Sequence, residues 1–229
     1  MPGVALVTGA AGGIGAAIAA RLRADGLEVV TLDRAAGCDH AVDLAVDPLP
    51  DFEDIDVCVS NAAIIDTIAA AHKMTPEQWG GDIDVNLTGA FRVVQACLPG
   101  MRERRWGRIV VISSGAARNG LPGQVAYSAS KAGLIGMVKT LAAEGAGRAI
   151  TANAVLPGMV ATERVKAMPA EIVDRLNETL PARRMAEPAE IAALVAFLAS
   201  EDAGYITGEA IAIDGGASLN TLSLTREQR

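Results

Sequence analysis

Aromatic side chains are scarce: the chain of 229 residues has two tryptophans, two tyrosines and three phenylalanines. With so few, the position of a tyrosine carries information. Cysteine is scarce too. Cys38, Cys58 and Cys97 are odd in number and show no paired spacing, which argues against a disulfide framework and a cysteine-based metal site. They read as small apolar residues in a reducing compartment, and no metal is expected. Hydrophobic residues make up 51% of the chain, yet they are spread over Ala, Val, Leu and Ile, and no uninterrupted run reaches membrane-spanning length. Positive charge is in deficit. A net charge of -7 repels a phosphate backbone, so nucleic acid is not an expected partner. No secretory signal precedes the first apolar run, "GVALVTG", and the cytoplasm is the expected location. Internal repeats, low-complexity segments and linkers are also lacking. One domain over residues 1–216 is expected, with a polar tail over 217–229.

What is present is an alternation. Short apolar runs, "VALVT", "EVVTLD", "HAVDL", "DVCVSN", "GRIVVISS", "ITANAVLP" and "EAIAID", read as parallel strands covered on both faces. Between them lie helical patterns: 13–26, a long one over 75–104, 126–147 and 188–200. In the first, Ile14, Ile18 and Leu22 recur every four residues and Gly26 is a plausible stop. The alternation predicts a doubly wound α/β fold of Rossmann type, with about seven parallel strands and helices on both faces. One connection is thin. Only "AAGCD" separates "TLDR" from "HAVDL", too short for a crossover helix, so either a bare loop crosses there or one strand is wrongly placed. "AVDPLPDFEDID" is too rich in proline and acid for a long helix.

The first strand runs into "TGAAGGIG", Thr8 to Gly15, and then a helix. Gly9, Gly13 and Gly15 suit a tight turn that lets backbone approach a pyrophosphate, and the helix start offers free N–H groups and partial positive charge. Asp33 ends the second strand, twenty residues after Gly13. Its carboxylate suits an adenosine ribose and would repel a 2′-phosphate. That favours NAD over NADP, although the neighbouring Arg34 is a candidate phosphate ligand.

"YSASK" places Tyr127 and Lys131 one helical turn apart. A lysine ammonium nearby would pull the phenol below its ordinary ionisation near pH 10 and make it a usable proton donor and acceptor. Taken alone, the pair fits an ordinary surface helix better, because this spacing arises by chance in many helices. Other motifs in order decide otherwise: "TGAAGGIG", "DL" at Asp43–Leu44, "SNAA" at Ser60–Ala63, "VNLTG" at Val85–Gly89, "ISS" at Ile112–Ser114, "PGMVAT" at Pro157–Thr162 and "DGG" at Asp214–Gly216. On these motifs the chain resembles the short-chain dehydrogenase/reductase family over essentially its whole length to Gly216.

The resemblance implies roles. Tyr127 would be the general acid/base, and Lys131 would lower its pKa and bind the nicotinamide ribose. Ser114 would hold the substrate oxygen, and Asn86 would hold a water linking Lys131 to solvent. Gly9, Gly13, Ile14 and Gly15 would receive the pyrophosphate. Asp43 and Leu44 would flank the adenine, with Asn61 and Ala62 along the cofactor. Pro157, Gly158 and Thr162 would border the nicotinamide. Residues near 162–185 would form a lid over substrate, and Gln124 is a candidate substrate contact. Where family members usually carry glycine after "NA", this chain has Ala63, whose methyl would tighten the backbone near the cofactor.

The functional expectation is an NAD-dependent oxidoreductase interconverting a secondary alcohol and a ketone. The alternative is a 3-oxoacyl-acyl-carrier-protein reductase, the members this chain is most similar to, with Arg105 and Arg148 matching positions that dock the acyl carrier protein. A catalytically inactive dinucleotide-binding sensor is the alternative of another class. A homotetramer is expected from the resemblance.

Overall fold

Residues 3–219 are described by the structure, a computed structural model. Among them, seven parallel strands form one sheet in the order β3-β2-β1-β4-β5-β6-β7. They are β1 (Val4–Thr8), β2 (Glu28–Asp33), β3 (His40–Ala41), β4 (Val57–Ser60), β5 (Gly107–Ile112), β6 (Ile150–Pro157) and β7 (Ala210–Ile213). The connections carry α1 (Gly13–Ala24), α2 (Pro76–Ile83), α3 (Ala90–Arg104), α4 (Ala116–Asn119), α5 (Val125–Gly145), α6 (Glu163–Lys166), α7 (Ala170–Thr179) and α8 (Pro188–Ala199). This is the expected doubly wound fold.

Each strand residue points to the face opposite its neighbour's, so the apolar runs feed two cores. Leu6, Ile109 and Leu156 meet α3 and α5 through Val93, Val94, Leu134 and Val138. Val7, Val59 and Val110 meet α1 and α8 through Ile18, Leu22, Ile191 and Val195. The chain winds from β1 outward to β3, then returns to start β4 on the other side of β1. A crevice opens at the carboxyl ends of the strands at that reversal, where ligands bind in such sheets.

Two sequence expectations change in detail. The thin crossover is indeed a bare loop, and the strand after it shrinks to His40–Ala41. Asp39 fastens the loop by accepting hydrogen bonds from the Thr31 backbone N–H (2.8 Å) and hydroxyl (2.7 Å). Asp43 then turns the chain, its carboxylate accepting from Ala45 N–H at 2.9 Å, so extended pairing ends there. The single helix expected over 75–104 is α2, one turn of π-helix at Asp84–Gly89, and α3. Thr75 and Gln78 start it with a reciprocal cap, and Pro76 occupies the first position. Among the described residues no helix is long and apolar enough to cross a membrane. The expected tail over 217–229 lies, from residue 220, outside the described residues.

One buried cation ties the sheet to its helices. Arg108 in β5 lies 4.5 Å from the Trp106 ring centroid. Its guanidinium donates to the carbonyls of Ser200 (2.9 Å), Gly107 (3.0 Å) and Ala149 (3.1 Å). Arg108→Ala is expected to lower stability by about 2 kcal/mol or more, read as a lower urea midpoint, because it removes packing and leaves carbonyls unpaired.

Candidate active site

The nucleotide end is built on a clamp between β1 and β4. Thr8 Oγ1 accepts hydrogen bonds from the backbone N–H groups of Asn61 and Ala62, both at 3.0 Å. The Asn61 side-chain amide donates to the carbonyls of Thr8 (2.9 Å) and Gly9 (3.2 Å). Asn61 therefore lies beneath the glycine turn and holds it. Gly9 has a φ of 67°, and a Cβ there would fall 2.8 Å from Ala62 Cα. A Cβ on Gly15 would fall 2.0 Å from the Gly9 carbonyl oxygen, so only glycine lets α1 start this close to the turn. Gly12 caps α1 without a side-chain hydrogen bond, which leaves first-turn N–H groups for an anion. Ile14 packs partly buried against the α1–α8 core. These features fit a dinucleotide pyrophosphate.

Beside the turn, a cleft of about 100 Å³ is lined by Gly9, Asp33, Arg34, Asp43, Leu44 and Ala62, among others. Ala63 also lines it and is exposed, so its methyl does not tighten the packing there. The Asp33 carboxylate is turned back on the protein. Oδ2 accepts from Ala11 N–H at 3.1 Å and Oδ1 from Ala35 N–H at 3.0 Å. Arg34, next to it, is exposed on the cleft wall.

The chemical end assembles at the tips of β5 and β6. Lys131 is 2% exposed, and its Nζ donates to the Ile112 carbonyl at 2.8 Å. The Ser113 hydroxyl donates to the Lys131 carbonyl at 2.8 Å, which fixes α5 on the end of β5. The next residue, Ser114, accepts a hydrogen bond from Ala116 N–H at 3.1 Å and lies close enough to the Tyr127 phenol to favour its ionised form. Lys131 Nζ stands 5.8 Å from the Tyr127 ring centroid. Burial pushes the Lys131 ammonium down to about 8. The Tyr127 phenol lies above its ordinary value. Burial is the main cause, the Ser114 hydroxyl pulls the other way, and the negative charge of Asp82 adds to the rise. The expectation that Lys131 depresses Tyr127 is thus corrected for the protein alone. Desolvation acts on both groups, and Lys131 directs a proton to Ile112.

The other expected residues divide. Thr162 precedes α6, and its methyl lies 3.5 Å from where a Gly13 Cβ would stand, so it reaches across the turn. Pro157 ends β6, and Gly158 packs where a Cβ would meet Asp214 Cα at 2.9 Å. Both Asn86 amide ends pair with Ile64, Oδ1 accepting from N–H at 2.8 Å and Nδ2 donating to the carbonyl at 2.9 Å. Gln124 donates to the Ile65 carbonyl at 2.7 Å. Asn86 and Gln124 thus strap the 61–70 loop across the site. Arg105 donates to the Gly147 carbonyl at 3.2 Å, beside Arg148. This pair lies at the amino-terminal ends of β5 and β6, about 20 Å of strand away from Ser114 and Tyr127.

Sequence reasoning missed Thr67 and Asp82. The Thr67 hydroxyl donates to Asp82 Oδ1 at 2.7 Å, and Asp82 is fully buried. The available signal was an acid one helical turn before Asn86, on the same face of a helix that packs inward. It also missed Arg164, paired with Asp66 between α6 and the strapped loop.

A family model described as enoyl-(acyl carrier protein) reductase matches residues 35–218. The chain is 43% identical over 238 residues to an acetoacetyl-CoA reductase of Rhizobium meliloti, covering 94% of this chain and 98% of that protein. It is 40% identical over 228 residues to the 3-oxoacyl-[acyl-carrier-protein] reductase MabA of Mycobacterium tuberculosis, covering 93% and 92%. A solved structure of a putative 2-deoxy-D-gluconate 3-dehydrogenase from Agrobacterium tumefaciens superposes with a TM-score of 0.84 at 32% identity, covering 94% and 96%. That structure holds NADP, which overturns the expectation of NAD. The physical reason lies in Asp33. Two backbone N–H groups hold its carboxylate, which blunts the repulsion expected against a 2′-phosphate and leaves Arg34 to face the cleft.

Burial of Lys131 has a consequence for stability. With its folded-state value near 8 and the ordinary value 10.5, the folded chain releases this proton first as pH rises. The contribution of Lys131 to stability is lowest below about pH 8 and grows as pH rises toward 10.5. Unfolding in urea across this range is expected to show a gain of about 3 kcal/mol that disappears in Lys131→Met.

Proposed function

The chain belongs to the short-chain dehydrogenase/reductase family, and on that premise we propose that it reduces the ketone of a 3-oxoacyl-CoA thioester to a secondary alcohol with NADPH. The observation that carries the reading is the joint placement of Ser114, Tyr127 and buried Lys131 at the end of β5, in a chain alike over its length to proteins named for such reductions.

NADPH supplies a hydride when bound. The uncapped start of α1 and the Gly9–Gly15 turn would hold its pyrophosphate, and Arg34 its 2′-phosphate. Asp43 and Leu44 would border the adenine, and Pro157, Gly158 and Thr162 the nicotinamide. Ser114 holds the substrate carbonyl oxygen by a hydrogen bond, and Tyr127 donates its phenolic proton to that oxygen as charge develops there. Lys131, beneath the phenol, restores the proton. The Asn86 side chain is paired with Ile64, so its part is to hold the loop wall of the site, and a water relay would have to use its backbone. Residues 162–185, with α6 and α7, serve as the lid over the substrate.

A carrier protein docked on Arg105 and Arg148 would stand at the opposite end of the sheet from Tyr127 of the same chain, which favours a free CoA thioester. MabA's likeness keeps carrier-borne delivery as the second reading, with a neighbouring subunit receiving the acyl group. Exposed Trp79 on α2, Phe91 on α3 and Val125 on α5 supply an apolar surface for the proposed tetramer. The three free thiols suit the reducing cytoplasm.

The test is turnover of acetoacetyl-CoA by the purified chain with NADPH and with NADH. The reading predicts ketone-dependent NADPH oxidation at a higher kcat/KM than with NADH. Turnover of simple secondary alcohols with no reduction of any 3-oxoacyl thioester would contradict it. Tyr127→Phe is expected to lower kcat by about two orders of magnitude or more while NADPH affinity, measured by fluorescence titration, holds.

A further inference from the structure

The helix packed against α5 buries a carboxyl group that the catalytic scheme leaves unused. Asp82 lies on the inner face of α2, the helix that packs against α5, and it is 0% exposed. Its Oδ1 accepts one hydrogen bond, from Thr67 Oγ1 at 2.7 Å. Its Oδ2 is buried and has no partner among the described residues. A carboxylate out of water with an unpaired oxygen is costly, and a residue in such a place is a candidate for function.

The surroundings are built to keep it there. The 61–70 loop is tied to the π-turn by Asn86 and to the start of α5 by Gln124, and Ala69 N–H adds a hydrogen bond to the Gly123 carbonyl at 2.8 Å. Thr67 lies between these ties and reaches inward to Asp82. Three residues after Gln124 comes Tyr127. The loop, α2 and α5 thus enclose the carboxyl group beside the helix that carries Tyr127 near its start.

We propose that Asp82, braced by Thr67, is a positioning residue that sets the pH at which the Tyr127 phenol changes from proton donor to proton acceptor. This rests on the reading of Tyr127 as the acid/base. The other groups around the phenol are few. Ser114 approaches from the tip of β5, and Lys131 from α5 itself with its Nζ on Ile112. Arg118 on α4 donates to the Ala210 carbonyl, and Asp66 pairs with Arg164 on the outer side of the loop. Asp84 follows in the π-turn, and Glu77 is exposed at the start of α2. The direction follows from like charge: a carboxylate near the phenol disfavours the phenolate, consistent with the upward displacement of Tyr127.

The test compares pH–rate profiles of the full chain with Asp82→Asn and Asp82→Val. Asparagine keeps the Thr67 hydrogen bond and removes the charge. Valine removes both the charge and the unpaired oxygen, and carries the same test if the asparagine form does not fold. Ketone reduction requires the protonated phenol, so its alkaline limb is expected to move to lower pH in both variants. Alcohol oxidation requires the phenolate, so its acid limb is expected to move the same way. A limb superimposable on that of the unmodified chain, in either variant, overturns the proposal. A loss of rate without any displacement does so as well, since a purely structural residue would give that result. Tyr127→Phe separates the two readings. If it remains active, the acid/base assignment fails. If it is inactive while the Asp82 variants leave both limbs in place, the Asp82 inference alone fails.

Discussion

The site depends on a lysine held out of water. Lys131 directs its ammonium to the Ile112 carbonyl at the end of β5, and this contact fixes where α5 lies on the sheet. Three consecutive residues of that strand end divide the work. Ile112 receives the Lys131 Nζ, Ser113 holds the Lys131 backbone, and Ser114 meets the phenol. Because the strand end is itself pinned to β6 through Ser113 N–H on the Val155 carbonyl (2.8 Å) and Gly115 N–H on the Pro157 carbonyl (3.0 Å), the three contacts move as one body. Preorganisation of this kind is what a proton-transfer site needs.

The same economy governs the nucleotide end. Thr8 and Asn61 join β1 to β4 immediately under the glycine turn, so the surface offered to a pyrophosphate and the crevice between the strands have one support. Asp33 belongs to that support as well. Its two hydrogen bonds brace the turn at Ala11 and the loop at Ala35. A residue that reads as a cofactor selector from its position at a strand end here braces the pocket, with the exposed Arg34 beside it on the cleft wall.

What could be read from the sequence was what local pattern encodes. Apolar runs of strand length, the glycine spacing after β1 and the Tyr127–Lys131 spacing each arise within a few residues, and the fold and the placing of Tyr127 and Lys131 on one helix followed from them. Properties made by tertiary enclosure were not legible. The pairing of Thr67 with Asp82 spans fifteen residues and needs the 61–70 loop to be strapped in place first. The direction of the Tyr127 displacement depends on burial, which the spacing of "YSASK" does not contain. The shortness of β3 follows from Asp43 turning the chain back, and the π-turn that divides the expected 75–104 helix has no strong residue signature.

Enclosure raises the Tyr127 phenol above its ordinary value and keeps it protonated before any ligand arrives. The sequence has two tyrosines, Tyr127 and the fully exposed Tyr205, so a Tyr205→Phe chain leaves a single phenol to follow. Its tyrosinate absorbance, titrated with base in the absence of cofactor, is the most direct measurement. Ionisation is expected at higher pH than for a free tyrosine amide in the same buffer. Ionisation below that reference would mean that Lys131 already governs the phenol and would contradict the account.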